Sequence, residues 1–172
     1  MEFELEVKGL KQLDRALKQL PARSAKRAIR SATRAGGREI IKEARKNLRK
    51  YNKTKNLSKS LSIKMLRPRQ YSITALIGPR VGKDQKYDGW YAHLVEFGVA
   101  PHTIKSKKKG VLKLTDALTL GNDQALVKSV EHPGHPAKPF MRPAYDKKKR
   151  DSVKAVGEKL WEAIAREAAK LK

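Results

Sequence analysis

Four histidines are the only imidazoles in this 172-residue chain: His93, His102, His132 and His135. Two of them stand in "EHPGHPAKPFMRPAYD", residues 131–146, which also holds four of the eight prolines. His132 and His135 lie three apart with a proline after each, so they do not share a helix face. Zinc is held by ordered nitrogen and sulfur ligands at close range. The chain has no cysteine, and no acidic cluster flanks the pair. Loop histidines bonding to backbone or water are therefore the stronger expectation. Glu96 is a lone acid in an apolar setting, with His93 three residues before it. Paired carboxylates at motif spacing, G-x-S-x-G, a phosphate-binding glycine loop and H-E-x-x-H are all missing. The expectation is no enzyme, no metal and no cofactor. A metal-dependent nuclease using the histidines is the reading these counts disfavour most.

What remains for the motif is geometric. Gly134 permits a turn, and each proline fixes its own φ and restricts the residue before it. Phe140 and Met141 then become an apolar plug ahead of a terminal helix. Stiffness of this kind lowers the entropy cost of presenting a surface to a neighbour.

Charge is the outlying property: 41 Lys and Arg against 17 Asp and Glu, a net +24. The excess is densest in residues 1–60, at +12, against +7 over 61–130 and +5 over 131–172. Such a field favours a polyanionic partner, nucleic acid being the commonest, or acidic protein neighbours. Zinc-finger, zipper, helix-turn-helix and RNP signatures are missing, and aromatics make up only 6%. DNA contact would then be to phosphate and nonspecific. No apolar run approaches the ~18–20 residues that cross a bilayer. The start, "MEFELEVKGL", has no signal-peptide pattern. No membrane contact and synthesis in the cytosol are expected.

The elements follow from periodicity. Residues 2–8 alternate Phe3, Leu5 and Val7 with Glu2, Glu4 and Glu6, a half-buried strand. Leu10, Leu13, Leu17 and Leu20 have helical spacing, and Pro21 separates that helix from the next. Residues 22–50 read as one long helix. Arg23, Arg27, Arg30, Arg34 and Arg38 form a basic stripe that continues through Lys42, Arg45 and Arg49. Opposite lie Ala25, Ala28, Ile29, Ala32 and Gly36, with Ile40, Ala44 and Leu48 drifting round. Ile41 falls on the basic side, Glu39 and Glu43 fall near the apolar one, and the glycines of 35–37 suggest a bend. Residues 51–60 are loop-like with room for one helical turn. Residues 61–68 and 71–79 read as an antiparallel hairpin. Residues 90–98 are a short helix or strand ended by Gly98, and 100–110 a basic flexible loop. Residues 111–114 and 125–132 are candidates for a strand pair. A helix is expected after Pro143, with Pro143 close to its first turn and Val153, Val156, Leu160, Ile164, Ala168 and Leu171 on its apolar stripe.

The fold class expected is α+β in one domain, residues 1–172: a small, mainly antiparallel sheet packed by a long N-terminal helix and a C-terminal helix. Residues 102–130 form a variable loop or hairpin insertion.

The order of motifs, "KGLKQLDRALKQLP", a long basic helix, "TKNLSKSLSIK", "YAHLVEFGVAPH" and "HPGHPAKPFMRPAYD", resembles the tail-component family of long-tailed phages typified by phage HK-ninety-seven. The most specific parts are residues 91–98 and 132–144. The family usually shows Thr-Gly-x-Leu after the long helix; here it is Thr54-Lys55-Asn56-Leu57. The resemblance implies a non-enzymatic virion protein, a minor tail or tail-completion protein of the neck, assembled in the host cytoplasm. It implies a ring of copies, a hexamer being favoured, between the head–tail connector and the tail terminator or tube, with double-stranded DNA passing through. The interface and core motif would then comprise Glu96, Phe97, Gly98, His132, Pro133, Gly134, Pro139, Phe140, Arg142 and Pro143. The stripe Arg23, Arg27, Arg30, Arg34 and Arg38 would face DNA or a partner. The alternative is a nonspecific basic DNA-binding protein acting as a monomer or dimer.

Overall fold

The computed structural model describes residues 10–51, 54–67, 72–82, 86–105, 112–113, 126–127 and 129–169. The strand expected over 2–8 and the stripe residue Leu171 lie outside them. The architecture is α+β. Long N-terminal and C-terminal helices are joined by short helices and by two-stranded antiparallel sheets. The chain divides into two compact units, one made of the described residues up to Trp90 together with Phe140–Lys172, the other of Tyr91–Pro139.

In the first unit, α1 (Leu10–Lys18) and α2 (Ala22–Leu48) are separated by Pro21, the N-cap of α2. The Pro21 carbonyl accepts from the Ala25 amide at 3.0 Å, so the proline starts the helix with the one main-chain group it can offer. α2 runs 27 residues without a break. The helix is continuous through the two glycines, which let neighbours in. A Cβ on Gly36 would lie 2.6 Å from Val156 Cγ2 and 2.8 Å from the Ser152 carbonyl oxygen. A Cβ on Gly37 would lie 2.9 Å from Ile63 Cδ1. Gly36 thus faces the C-terminal helix and Gly37 faces the hairpin.

That sandwich accounts for Ile41. It sits on the basic side of a simple wheel, yet it is buried, because a second layer widens the apolar arc of α2 beyond Gly36. The second layer is the hairpin β1 (Leu61–Met65) and β2 (Ala75–Pro79), antiparallel with Ile63 opposite Ile77. The short helix α3 (Asn56–Ser60) leads into it.

The C-terminal helix of this unit spans Met141–Ala169. It opens two residues before Pro143 rather than after it. Proline is tolerated there because the first four helical amides have no intrahelical acceptor. Leu160, Ala163 and Ile164 of this helix pack with Leu13, Leu20, Ala28 and Ala32, and Val156 lies against the same cluster. Each buried Leu or Ile contributes about 1.5–3 kcal/mol.

The second unit contains α4 (Ala92–Phe97), β3 (His102–Lys105), β4 (Leu112–Lys113), β5 (Leu126–Val127) and β6 (Ser129–His132); the C-terminal helix Met141–Ala169 is α5 hereafter. Residues 102–105, expected as loop, are a strand. They pair with 129–132, the second half of the stretch expected to pair with 111–114. Among the described residues, Leu112–Lys113 and Leu126–Val127 keep the expected partnership. The β-branched Thr103 and Ile104 suit the extended backbone of a strand.

Candidate interaction surfaces

The two most specific sequence motifs meet within the second unit. Val99 and His135 exchange main-chain hydrogen bonds, each amide donating to the other's carbonyl at 2.9 Å. The Lys138 amide donates to the Val95 carbonyl at 2.8 Å. Two glycines make this clasp fit. Gly98 has φ +75° and ψ −177°, and Gly134 has φ +73°. A Cβ on Gly98 would stand 2.7 Å from the Ala137 amide nitrogen. One on Gly134 would run into the Val99 carbonyl. His132 Nδ1 accepts from the Gly134 amide at 3.0 Å, closing the turn from its own side chain.

The motif residues divide by unit and by exposure. Glu96, Phe97, Gly98, His132, Pro133, Gly134 and Pro139 belong to the second unit; Phe140, Arg142 and Pro143 belong to the first. Phe97 is 80% exposed, whereas Phe140 is 1% exposed. The Phe140 carbonyl accepts from Asn47 Nδ2 at 3.1 Å, tying the start of α5 to α2. Phe140 is a core plug, and Phe97 is a surface group on a rigid mount. Arg142 is exposed and pairs with Asp146.

The histidines do hydrogen-bonding work. His102 and His132 face each other across β3 and β6 with ring centroids 5.0 Å apart, a pairing the sequence gives no sign of. His102 Nδ1 lies 2.9 Å from the Ala100 carbonyl, and His135 Nδ1 lies 3.1 Å from that of Pro136. Among the described residues no group of three or more His, Asp and Glu is placed to hold a metal ion. Nor is any described helix long and apolar enough to cross a membrane.

The basic stripe is on the outside of the first unit. Arg23, Arg27, Arg34 and Arg38 are exposed and Arg30 is half-buried. Among the described residues none of the five has a carboxylate within salt-bridge distance. Arg27, Arg30, Ser31, Arg34, Ala35 and Arg38 line a shallow groove with Lys159 of α5, which itself pairs with Glu162. Further along α2 the character changes. Arg45 Nη2 donates to the Leu61 carbonyl at 3.1 Å and serves the fold. Glu43 is buried and accepts from Lys147 of α5 at 2.7 Å, and that hydrogen bond holds its carboxyl below the ordinary glutamate range.

Surface aromatics are the group that sequence reasoning passes over. Of the eight aromatic residues with described burial, five are exposed: Tyr51, Trp90, Phe97, Tyr145 and Trp161. Trp161 and Tyr145 sit in an otherwise well-formed helix. The signal that could have found them is their place off the apolar stripe.

A family model described as "Bacteriophage HK97-gp10, putative tail-component" matches residues 11–98. The matched stretch begins within α1 and ends at Gly98, so it takes in α2, the hairpin and α4. No curated protein and no solved structure matches the chain.

Proposed function

Because the chain belongs to the HK97-gp10-like family of bacteriophage tail components, we propose that it is a structural subunit of the neck of a long-tailed phage. Copies of it form a ring, a hexamer in keeping with tail symmetry, at the head-proximal end of the tail. There it joins the tail terminator and tube to the connector of the head, and double-stranded DNA passes through. Its work is binding and shape rather than catalysis.

The observation that carries this reading is the distribution of aromatics. A monomer has little reason to keep five of its large ring side chains in water. Aromatic residues are enriched where proteins meet each other. Phe97 is the best placed, since the clasp of Val99 with His135 holds the adjacent backbone and lowers the entropy cost of association.

Native mass spectrometry and negative-stain images of the purified chain test the reading, alone and with isolated connector or tail tube. A closed ring, or a ring formed on either partner, is expected. A chain that stays monomeric at high concentration and binds neither partner overturns it.

A further inference from the structure

We infer that the shallow groove between α2 and α5 is a phosphate-backbone site for duplex DNA, with Arg27, Arg30, Arg34 and Arg38 as its ligating cations. The inference takes its biological setting from the neck reading above, but its chemistry can fail by itself.

Three observations converge on this groove. First, residues 22–38 contain six Arg and Lys and no acid, although acids return at Glu39 and Glu43. The arginines are therefore not consumed by helix-surface ion pairs, and among the described residues none has an acidic partner. Second, the floor between them is Ser31 and Ala35. Small side chains there leave the guanidinium groups free to reach a convex backbone. Third, the groove has no aromatic or large apolar lining. The core of a protein–protein contact is depleted in charge and rich in aromatics. Here the exposed aromatics lie outside the groove lining, so the protein contact and the anion contact use different residues.

The chemistry fits phosphodiester. Arginine stays charged at any relevant pH and binds phosphate through two parallel N–H donors. From Arg23 to Arg38 the helix rises about 22 Å. A duplex carries a negative charge every ~1.7 Å of its axis whatever its sequence, so phosphates recur along the whole length of the stripe. Such a site holds DNA without reading it, as a path for moving DNA requires.

The test is equilibrium binding of the full chain to a fluorescent 24-base-pair duplex between 50 and 200 mM salt. Four to five phosphate contacts predict a roughly 100–500-fold loss of affinity over that range. The variant Arg27→Gln, Arg30→Gln, Arg34→Gln, Arg38→Gln should flatten the log–log salt slope by about 3–4, with an unchanged melting temperature. A control removing four exposed charges elsewhere (Lys50, Lys64, Arg67 and Lys105 to Gln) should keep the slope. Equal loss in both variants, or none in the first, overturns the inference. So does poly-glutamate bound as tightly as DNA at equal charge, which assigns the groove to an acidic protein. Oligomeric state is read in the same samples. A ring that does not bind DNA removes this site and leaves the neck reading standing. A DNA-binding monomer supports the site and leaves the ring to be read on the isolated connector or tail tube.

Discussion

Val99 and His135 are joined by a reciprocal pair of main-chain hydrogen bonds, 2.9 Å each, and this bridge, with the Lys138 amide on the Val95 carbonyl, fastens the end of α4 to the proline-rich turn. It makes the two motifs one object. The stiffness of "HPGHP" is spent on holding Gly98 and the exposed Phe97 beside it.

Gly98 should therefore resist any side chain. Its φ of +75° with ψ of −177° lies in a region open to glycine alone, and a Cβ would press on the Ala137 amide. Gly98→Ala is expected to destabilise the second unit by about 1–3 kcal/mol. Hydrogen exchange should speed at Val99 and His135 while α2 amides keep their protection.

Two helical glycines should respond with opposite signs to the same change. Gly36→Ala gains helix propensity but drives a methyl into Val156 and the Ser152 carbonyl, and is expected to cost about 1–3 kcal/mol. Gly157 in α5 has nothing within 4 Å of its would-be Cβ, so Gly157→Ala should stabilise by about 0.5–1 kcal/mol. Urea midpoints of the two variants settle the comparison.

Lys55 is the only non-glycine with positive φ among the described residues, at +58°. It makes the left-handed turn before α3 with a full side chain in place. Lys55→Gly should relieve most of a strain of about 1–2 kcal/mol, offset in part by glycine's larger unfolded-state entropy. A net gain of roughly 0.5–1 kcal/mol in thermal or urea stability is expected.

These positions mark what a sequence can and cannot carry. The Ala28–Ala32 face of α2, the hairpin of residues 61–68 with 71–79 and the Leu160–Ile164 stripe are local patterns, so they are legible in order of residues alone, although the register of Ile63 with Ile77 is not. Ile41 and Glu43 are not, because their burial depends on a hairpin and on Lys147, which lie far along the chain. The start of α5 before Pro143 is missed because proline is a stop inside a helix and a neutral residue in its first turn. For the candidate surfaces, residue types are legible and juxtaposition is not. Main-chain bonds such as that of Val99 to His135 leave no side-chain signature, and exposure of Phe97 against burial of Phe140 is a tertiary fact.

Glu43 gives a pH dependence with a definite sign. Its hydrogen bond from Lys147 lowers the folded-state pKa, so the unfolded chain binds the proton more readily. The stabilisation is present above the unfolded carboxylate range and is lost as pH falls through the lower, folded value. Asp151, lowered by its hydrogen bond from Lys148, acts in the same direction. Urea midpoints measured from pH 7 down to pH 3 should fall less steeply for Glu43→Gln than for the unaltered chain. Parallel curves would remove this pair from the acid response.

Phe97 and Phe140 lie in motifs that look equivalent in sequence, and their truncations should separate assembly from folding. Phe140 is fully enclosed, so Phe140→Ala loses apolar burial and leaves a cavity, a cost of about 3–5 kcal/mol. Its melting temperature should drop, and any assembly defect follows from unfolding. Phe97 is in water in the single chain, so Phe97→Ala should leave the melting temperature of the monomer within a degree or two while weakening self-association at least tenfold, since an aromatic anchor at an interface is worth more than about 1.4 kcal/mol. Sedimentation velocity across a concentration series reads the second effect and differential scanning fluorimetry the first. If Phe97→Ala associates as the unaltered chain does, the contact between copies lies on the other exposed aromatics, and the clasp of Val99 and His135 supports the fold alone.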